Sequence, residues 1–401
     1  MSHNTFSCDY LIIGAGIIGL SIARELQQRS PEAQIIIIEK EEDVAKHGSG
    51  RNSGVLHAGF YYSADSLKAK FTKEGNAAMH RYCMENALSL NRSQKVVVAR
   101  NEKELETLYE LHARAIANGV ETRLIDEVEL ASIEPNAKTY RKALFSPNTS
   151  TINPIEVCQT LKNELISKGV LFHFNTPYRH QHENTVYSDS TVYSANFVIN
   201  AAGLYADKIA KDFNFSTHYT ILPFKGIYLK YTGADQPIHT NIYPVPNLDN
   251  PFLGVHYTIT VDGTIKIGPT AIPAFWRENY SFVERFNLSE LISVLKNEAV
   301  LFITDAFHFR KLAFQEISKY HRPTLVKLAL DMVQSIDKKR FDTWSTPGIR
   351  AQLLDVRNRK LVQDFVVEGD KKSLHILNAV SPAFTASFAF ARWIVDHYVE
   401  G

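Results

Sequence analysis

Three cysteines in 401 residues, Cys8, Cys83 and Cys158, are too few, too widely separated and odd in number to build a disulfide framework or a zinc site. That scarcity fits a reducing compartment. Charge of one sign is lacking as well: 44 Lys and Arg against 43 Asp and Glu leave a net charge of +1. So even a balance gives no electrostatic footprint for nucleic acid or a strongly anionic surface. Long apolar runs are missing too. The longest uncharged stretch near the C-terminus, Ile376 to Ala391, has sixteen residues and contains Asn, Ser, Pro and Thr, whereas a spanning helix needs about twenty mostly apolar ones. It reads as buried. The opening "MSHNTFSCDY" has no basic n-region, and three glycines break the apolar stretch after it, so no signal peptide is expected and the expected location is cytoplasmic. There is no internal repeat and no low-complexity segment. Hydrophobic residues at 45% and charged residues at 22% are ordinary for a globular chain, and the length points to two domains or one composite fold.

Most of the positive information sits at the start. In "DYLIIGAGIIGLSIARELQQRSPEAQIIIIEK", Asp9 to Ile13 reads as a buried strand, Gly16 to Arg29 as a helix with Ile18, Ile22 and Leu26 on one stripe, and Ile35 to Glu39 as a second buried strand. Between the first strand and the helix lies G-x-G-x-x-G: Gly14, Gly16 and Gly19. These allow a tight turn, a close approach of backbone to a pyrophosphate, and close strand–helix packing, while the helix N-terminus offers free N–H groups. Glu39 lies twenty residues after Gly19, where a carboxylate accepts both ribose hydroxyls. Strand, helix and acid together predict dinucleotide binding, and the acid disfavours a 2′-phosphate.

The βαβ unit alone leaves FAD and NAD both open. After it comes the connection "EEDVAKHGSGRNSGVLHAGFYY" in place of further βα units. Helices are expected in "NEKELETLYELHARAIANG" and "PIEVCQTLKNELISKG", and "NTVYSDSTVYSANFVINAAG" reads as a hairpin leading into a buried strand. From about Ile221 to Thr270, aromatic and β-branched residues predict an antiparallel sheet, with Asp262-Gly263 turning a hairpin. A helical stretch, Leu288 to Ser335, reads as a cover on that sheet, with docking to a bilayer or partner as the alternative. Short strands and a final helix, Phe384 to Tyr398, close the chain.

With "SGRNSGVLHAGFYY", "NAAGLYAD", "PFKGIYLKY", "NIYPVPNLDNPFLGVHYT", "IGPTAIPAF", "GIRAQLLD" and "LHILNAVSPAFTAS", the chain resembles the D-amino-acid-oxidase-type (glycine oxidase-like) FAD oxidoreductases, and within them the L-2-hydroxyglutarate dehydrogenase/oxidase branch. The resemblance runs almost end to end. It implies an α/β composite in which a Rossmann-like FAD-binding domain is assembled from 1–90, 140–215 and 340–401. An antiparallel-sheet substrate domain would take 91–139 and 216–339. It implies FAD as cofactor, with Gly14, Gly16 and Gly19 at the pyrophosphate and Glu39 at the adenosine ribose. Arg51, Asn52, Ser53 and Gly54 would pass beside the isoalloxazine and ribityl chain. Ala201, Ala202 and Gly203 would line the adenosine side with Asp207 nearby. Gly348 and the loop Ser381, Pro382, Ala383, Phe384 and Thr385 would lie against the pyrimidine edge, where the helix N-terminus stabilises the charge of the reduced ring.

The implied reaction is oxidation of a 2-hydroxy acid, L-2-hydroxyglutarate first, to the 2-oxo acid; an amine or amino-acid oxidase of the glycine or sarcosine oxidase type is the alternative. A flavin-binding protein without turnover is a third reading. Loss of the hydroxyl proton calls for a base, and a neutral histidine suits it. His57 is the first choice and His256 the second. Arg350 and Lys225 are candidates for the substrate carboxylate, with Tyr62, Tyr243 and Thr270 as hydroxyl donors. Where the branch reads "PFRG" plus an acid, "GPNA" and "FKRE", this chain has Lys225 with Ile227, Thr270 and Trp276, changes that bear on a distal carboxylate. No metal is expected. The electron acceptor is open among oxygen, a quinone and an electron-transfer protein, and peripheral contact with the cytoplasmic face of an inner membrane is compatible with each.

Overall fold

A computed structural model describes residues 4–247 and 254–399; residues 248–253, within "NIYPVPNLDNPFLGVHYT", lie outside them. The chain forms two compact units. The first comprises Met1–Asn52, Pro154–Pro223 and Arg350–Gly401, the second Ser53–Asn153 and Phe224–Ile349.

The first unit is built on a sheet whose central strand, Asn4–Ile13, is flanked in parallel by Ile35–Ile38 and Thr191–Asn200. Leu171–His173 extends it in parallel beyond Ile35–Ile38. On the other side, Ser373–Ile376 pairs in parallel with the end of Thr191–Asn200, and Thr185–Tyr187 pairs antiparallel with its beginning. The four isoleucines of Ile35–Ile38 are all buried, as a strand covered on both faces requires. Helix Ile17–Arg29 buries Leu20, Ile22, Ala23 and Leu26. The final helix is Ala383–Ile394, followed by a wider turn over Val395–Val399.

The second unit carries an eight-stranded sheet in the order Phe341–Trp344, Leu229–Tyr231, Ile265–Gly268, His256–Ile259, Asn241–Pro244, Lys95–Val98, Lys142–Ser146, Arg123–Asp126. The expected hairpin at Asp262-Gly263 is there, joining His256–Ile259 to Ile265–Gly268. One pair departs from the antiparallel expectation: Asn241–Pro244 runs parallel to Lys95–Val98. The chain passes through the first unit between these strands, so no hairpin fixes their relative direction.

Alternation along these strands separates two faces. Val96, Val98, Ile242, Tyr257, Ile259, Ile265 and Ile267 enter one apolar core with Leu325, Val326 and Ala329 of helix Arg322–Leu330. Lys95, Val97, Asn241, Tyr243, His256 and Thr258 occupy the alternate positions and face the other way. The expected helical stretch is three helices, Leu288–Thr304, Phe309–Ser318 and Arg322–Leu330, because Asp305, Phe307 and His308 adopt left-handed backbone between the first two. Of these, Arg322–Leu330 is the cover foreseen for the sheet.

An element without a counterpart in the sequence reading is the helix Leu67–Glu85, which begins where Ser66 accepts a hydrogen bond from the Ala69 N–H at 3.1 Å. Its buried side includes Lys68, Thr72 and Asn76 beside Phe71, Met79 and Cys83. Polar residues on the buried stripe erase the apolar periodicity by which such a helix is recognised.

Candidate active site

The first unit holds a nucleotide cradle. Gly14 has φ +107°, and a Cβ there would stand 2.7 Å from the Ala201 carbonyl oxygen. A Cβ on Gly19 would stand 2.1 Å from the Gly14 oxygen. Space therefore requires glycine at both positions, and turn geometry requires it at Gly14 as well. Helix Ile17–Arg29 starts directly after the loop with no acidic side chain in its first turn, leaving its positive end for an anion. The Ile17 N–H meets Ser49 Oγ at 2.9 Å, placing a hydroxyl at the same spot. Glu39, just beyond the second strand, accepts from the Ala15 N–H at 2.8 Å and from the Glu41 N–H at 3.1 Å, which brings its carboxylate to the glycine loop. An anion cradle with a carboxylate one strand away fits the pyrophosphate and ribose of FAD. Ser49 was not singled out in the sequence; a serine just before "GRNSG" reads as part of a flexible loop.

Other residues expected at the cofactor take these places. Ala201 donates its N–H to Ile13 at 3.0 Å, and Ala202 to Asn200 Oδ1 at 3.2 Å, so this turn closes directly over the glycine loop. Gly203 has φ +54° at the start of the following turn. Asp207 is fully buried and accepts from the Ile221 N–H at 3.0 Å and Thr220 Oγ1 at 3.3 Å. That carboxylate joins its helix to the next strand. Arg51 Nε donates to the Lys46 carbonyl at 2.8 Å, and Asn52 Nδ2 to the carbonyls of Gly48 and Ser49 at 3.1 and 2.7 Å, folding the loop on itself. In the C-terminal loop, Ser381 is exposed and Pro382, Ala383 and Thr385 are buried, with Phe384 between these extremes. Ala383 opens the helix there, as the stabilising dipole would need. Arg350 lies on strand Gly348–Asp355, half-buried. Ser53 is half-buried and Gly54, with φ +73°, accepts the Ile152 N–H at 2.9 Å.

The second unit gathers a buried polar cluster. His57 follows the short strand Val55–Leu56, which pairs with Ser150–Ile152. Its carbonyl accepts from Asn76 Nδ2 at 3.1 Å, and the same amide reaches the Asn148 carbonyl at 3.1 Å. Beyond it, Asn118 donates to the carbonyls of Gly59 and Tyr62 at 3.1 and 3.0 Å, and Arg114 Nη1 to that of Tyr61 at 3.1 Å. Two helices thus clamp the backbone that carries "HAGFYY". His256 stacks on Tyr243 with ring centroids 3.8 Å apart and 16° between planes. Its Nδ1 meets the Gly254 carbonyl at 2.8 Å, which fixes that nitrogen as donor and leaves the neutral ring's lone pair on Nε2. Burial, then the Lys95 charge, then His256 hold the His57 imidazole well below its usual range. His57, His256 and Tyr243 are therefore brought together, and Lys95, absent from the sequence-derived set, is with them.

Tyr62 is half-buried, with the Lys68 ammonium 5.9 Å above its ring. Lys225 is buried, its ammonium 3.4 Å from Asn279 Oδ1, and burial pulls its pKa down. Thr270 was expected as a hydroxyl donor to substrate. Its Oγ1 donates to the Lys225 carbonyl at 3.0 Å and accepts from the Ile227 N–H at 3.1 Å, so the hydroxyl ties the backbone under Lys225 instead.

Compared with known proteins, residues 9–397 match the family described as FAD dependent oxidoreductase. The chain is 32% identical to the mitochondrial L-2-hydroxyglutarate dehydrogenase of Dictyostelium discoideum, over 97% of this chain and 92% of that protein. It is 33% identical to the human mitochondrial enzyme of the same name over 98% and 89%, and 31% identical to the Escherichia coli K12 L-2-hydroxyglutarate dehydrogenase over 97% and 92%. Among solved structures, the L-alpha-glycerophosphate oxidase of Mycoplasma pneumoniae, with FAD bound, superposes with TM-score 0.76 at 22% identity, covering 97% of this chain and 94% of that one. Glycine oxidase of Geobacillus kaustophilus gives 0.73 at 16%, covering 100% and 95%.

Proposed function

Because this chain belongs to the FAD dependent oxidoreductase family of the D-amino-acid-oxidase type, we propose that it oxidises L-2-hydroxyglutarate to 2-oxoglutarate. The observation that carries the reading is the near full-length kinship with enzymes of that name, joined to a buried histidine held neutral in the second unit. The glycine-oxidase likeness is one of fold, so it does not favour the amine alternative. On this reading the first unit is the FAD domain and the second the substrate domain.

FAD, when bound, supplies the two-electron acceptor for the hydride that leaves the substrate's Cα. The glycines and Glu39 hold the dinucleotide, and the turn Ala201–Gly203 walls its adenosine side. His57 takes the hydroxyl proton; its neutrality at working pH makes the lone pair available. His256, with its tautomer fixed by Gly254, is the second base candidate and supports the pocket through Tyr243. In the second unit Lys225 meets a substrate carboxylate, and the Tyr243 and Tyr62 hydroxyls orient the reacting carbon. Burial keeps the Tyr243 phenol protonated, hence a donor.

We place the electron acceptor at a membrane surface. No helix among the described residues is long and apolar enough to cross a membrane. Helix Leu288–Thr304 nevertheless buries only Glu290, Val294 and Leu301, while Ile292, Ile303, Phe314 and Ile317 stand exposed on it and its neighbour. Such a surface suits peripheral docking. The activity is tested by incubating FAD-loaded protein with L-2-hydroxyglutarate and a dye acceptor and identifying the product by mass spectrometry. Stoichiometric 2-oxoglutarate supports the proposal. Oxidation of glycine or sarcosine with none of L-2-hydroxyglutarate would replace it with the amine reading.

A further inference from the structure

Lys225 is a buried cation held by a neutral partner. It is 8% exposed, and its ammonium donates to Asn279 Oδ1 at 3.4 Å. Glu284 is the one carboxylate whose charge acts on it, from an exposed position, and among the described residues the two form no ion pair. A buried charge without a counter-ion in contact keeps its attraction for an incoming anion. Asn279 is buried as well, and both ends of its amide are engaged. Its Oδ1 also accepts from the Phe275 N–H at 3.3 Å, and its Nδ2 donates to the Ser281 carbonyl at 2.8 Å. An N–H on one side and a carbonyl on the other settle which end of the amide is oxygen. The surroundings fix its place. Lys225 pairs with Ile272 across two antiparallel strands, and the chain then turns, with the Asn279 N–H donating to the Trp276 carbonyl at 3.1 Å. Within that turn the Arg277 N–H donates to the buried Glu290 carboxylate at 3.0 Å, and Trp276 Nε1 to the Glu284 carbonyl at 2.8 Å.

We propose that Asn279 is a positioning residue for the substrate: its amide oxygen holds the Lys225 ammonium in place while leaving the lysine's charge unneutralised for a substrate carboxylate. This deepens, and rests on, the proposed meeting of Lys225 with that carboxylate. An ammonium has three N–H donors, so one spent on Asn279 leaves two for the ligand. A lysine stem is flexible, and fixing its head before substrate arrives removes part of the ordering cost of binding. An aspartate at 279 would hold the ammonium in the same place, but as an ion pair that substrate must displace. Asparagine has the same shape without the charge, so it tethers and does not compete. The benefit belongs to binding, so it enters KM and leaves the hydride step alone.

The test compares FAD-loaded Asn279→Asp, Asn279→Ala and Lys225→Met with the native protein. The readouts are kcat and KM for L-2-hydroxyglutarate, Kd for 2-oxoglutarate from the shift of flavin absorption, and Tm. In Asn279→Asp, KM and Kd are expected to rise by about tenfold or more with kcat held within about twofold. Asn279→Ala should raise KM less, since it frees the ammonium without adding a competing charge. A residue that merely braced its turn would give the opposite order, because alanine loses both side-chain bonds and aspartate keeps the one from Phe275; that order overturns the proposal. If the aspartate variant does not fold, the double variant Lys225→Met with Asn279→Ala decides. Its KM should equal that of Lys225→Met alone, because Asn279 acts through the lysine. An equal effect of Asn279→Ala in both backgrounds overturns the proposal while leaving Lys225 at the carboxylate. A native KM in Lys225→Met removes Lys225 from the substrate, and the proposal falls with it.

Discussion

Replacing His57 by Gln takes away the imidazole and leaves a side chain of similar reach. If His57 accepts the hydroxyl proton, kcat should fall by about 10² to 10⁴, the usual worth of a positioned base, while FAD stays bound. A stopped-flow comparison of flavin reduction in the two proteins measures this, and equal rates would remove His57 from the chemistry. Gly16→Val makes the complementary change. Its Cβ would lie 3.0 Å from Ser49 Oγ, at the mouth of the cradle, and two further methyls would fill it. The purified variant should be colourless, with flavin absent from the trichloroacetic acid supernatant. At this scale, legibility in the sequence followed chemistry. Gly14, Gly16, Gly19 and Glu39 stood out because their spacing alone defines a binding geometry. Lys95 did not, because a lysine opening "KVVV" is the ordinary solvated end of a strand. Its burial comes from Tyr243 and Phe60, 148 and 35 positions away in the chain. The bonds of the Thr270 hydroxyl were hidden for a similar reason: the backbone groups it meets, at Ile227 and Lys225, lie 43 and 45 positions away in the chain.

Elements set where these side chains point. Helix Leu67–Glu85 reaches the His57 backbone through one amide, Asn76. Asn76→Ala would strip donors from the carbonyls of His57 and Asn148, costing about 1–3 kcal/mol for the buried groups left unsatisfied. Urea unfolding should report that loss, with a lower kcat as His57 loosens. The sheet of the first unit has a titrating element of its own. His375 on Ser373–Ile376 accepts from Asn200 Nδ2 at 3.1 Å and lies between the rings of Phe213 and Phe215, and burial pulls its pKa down to about 4. The unfolded chain therefore takes up this proton first. Stability from His375 is full above about pH 6.5 and is lost as pH falls toward 4, by about 3 kcal/mol in all. Tm measured down that window should drop, and His375→Gln should flatten the slope. Elements with clean periods, such as the opening βαβ unit and the Asp262-Gly263 hairpin, were legible in the sequence. Leu67–Glu85 was not, since its buried stripe carries the polar groups that serve the site.

Taken whole, the chain presents Ile292 and Ile303 of Leu288–Thr304 and Phe314 and Ile317 of Phe309–Ser318 to solvent, in a molecule whose net charge is only +1. Co-sedimentation with phosphatidylglycerol-containing vesicles should capture the protein, and Ile303→Glu combined with Phe314→Glu should release it without changing flavin content. Retention unaffected by both charges would place the docking surface elsewhere. The discontinuous fold was legible from the resemblance. The parallel pairing of Lys95–Val98 with Asn241–Pro244 was not, because it joins segments separated by a passage through the other unit. The catalytic assignment itself meets its most direct test in anaerobic spectroscopy of the FAD-loaded protein. Addition of L-2-hydroxyglutarate should bleach the flavin's visible absorption at one equivalent, with the D-enantiomer, glycine and sarcosine inert. A flavin that stays oxidised with L-2-hydroxyglutarate, or that glycine or sarcosine reduces in its place, would contradict it.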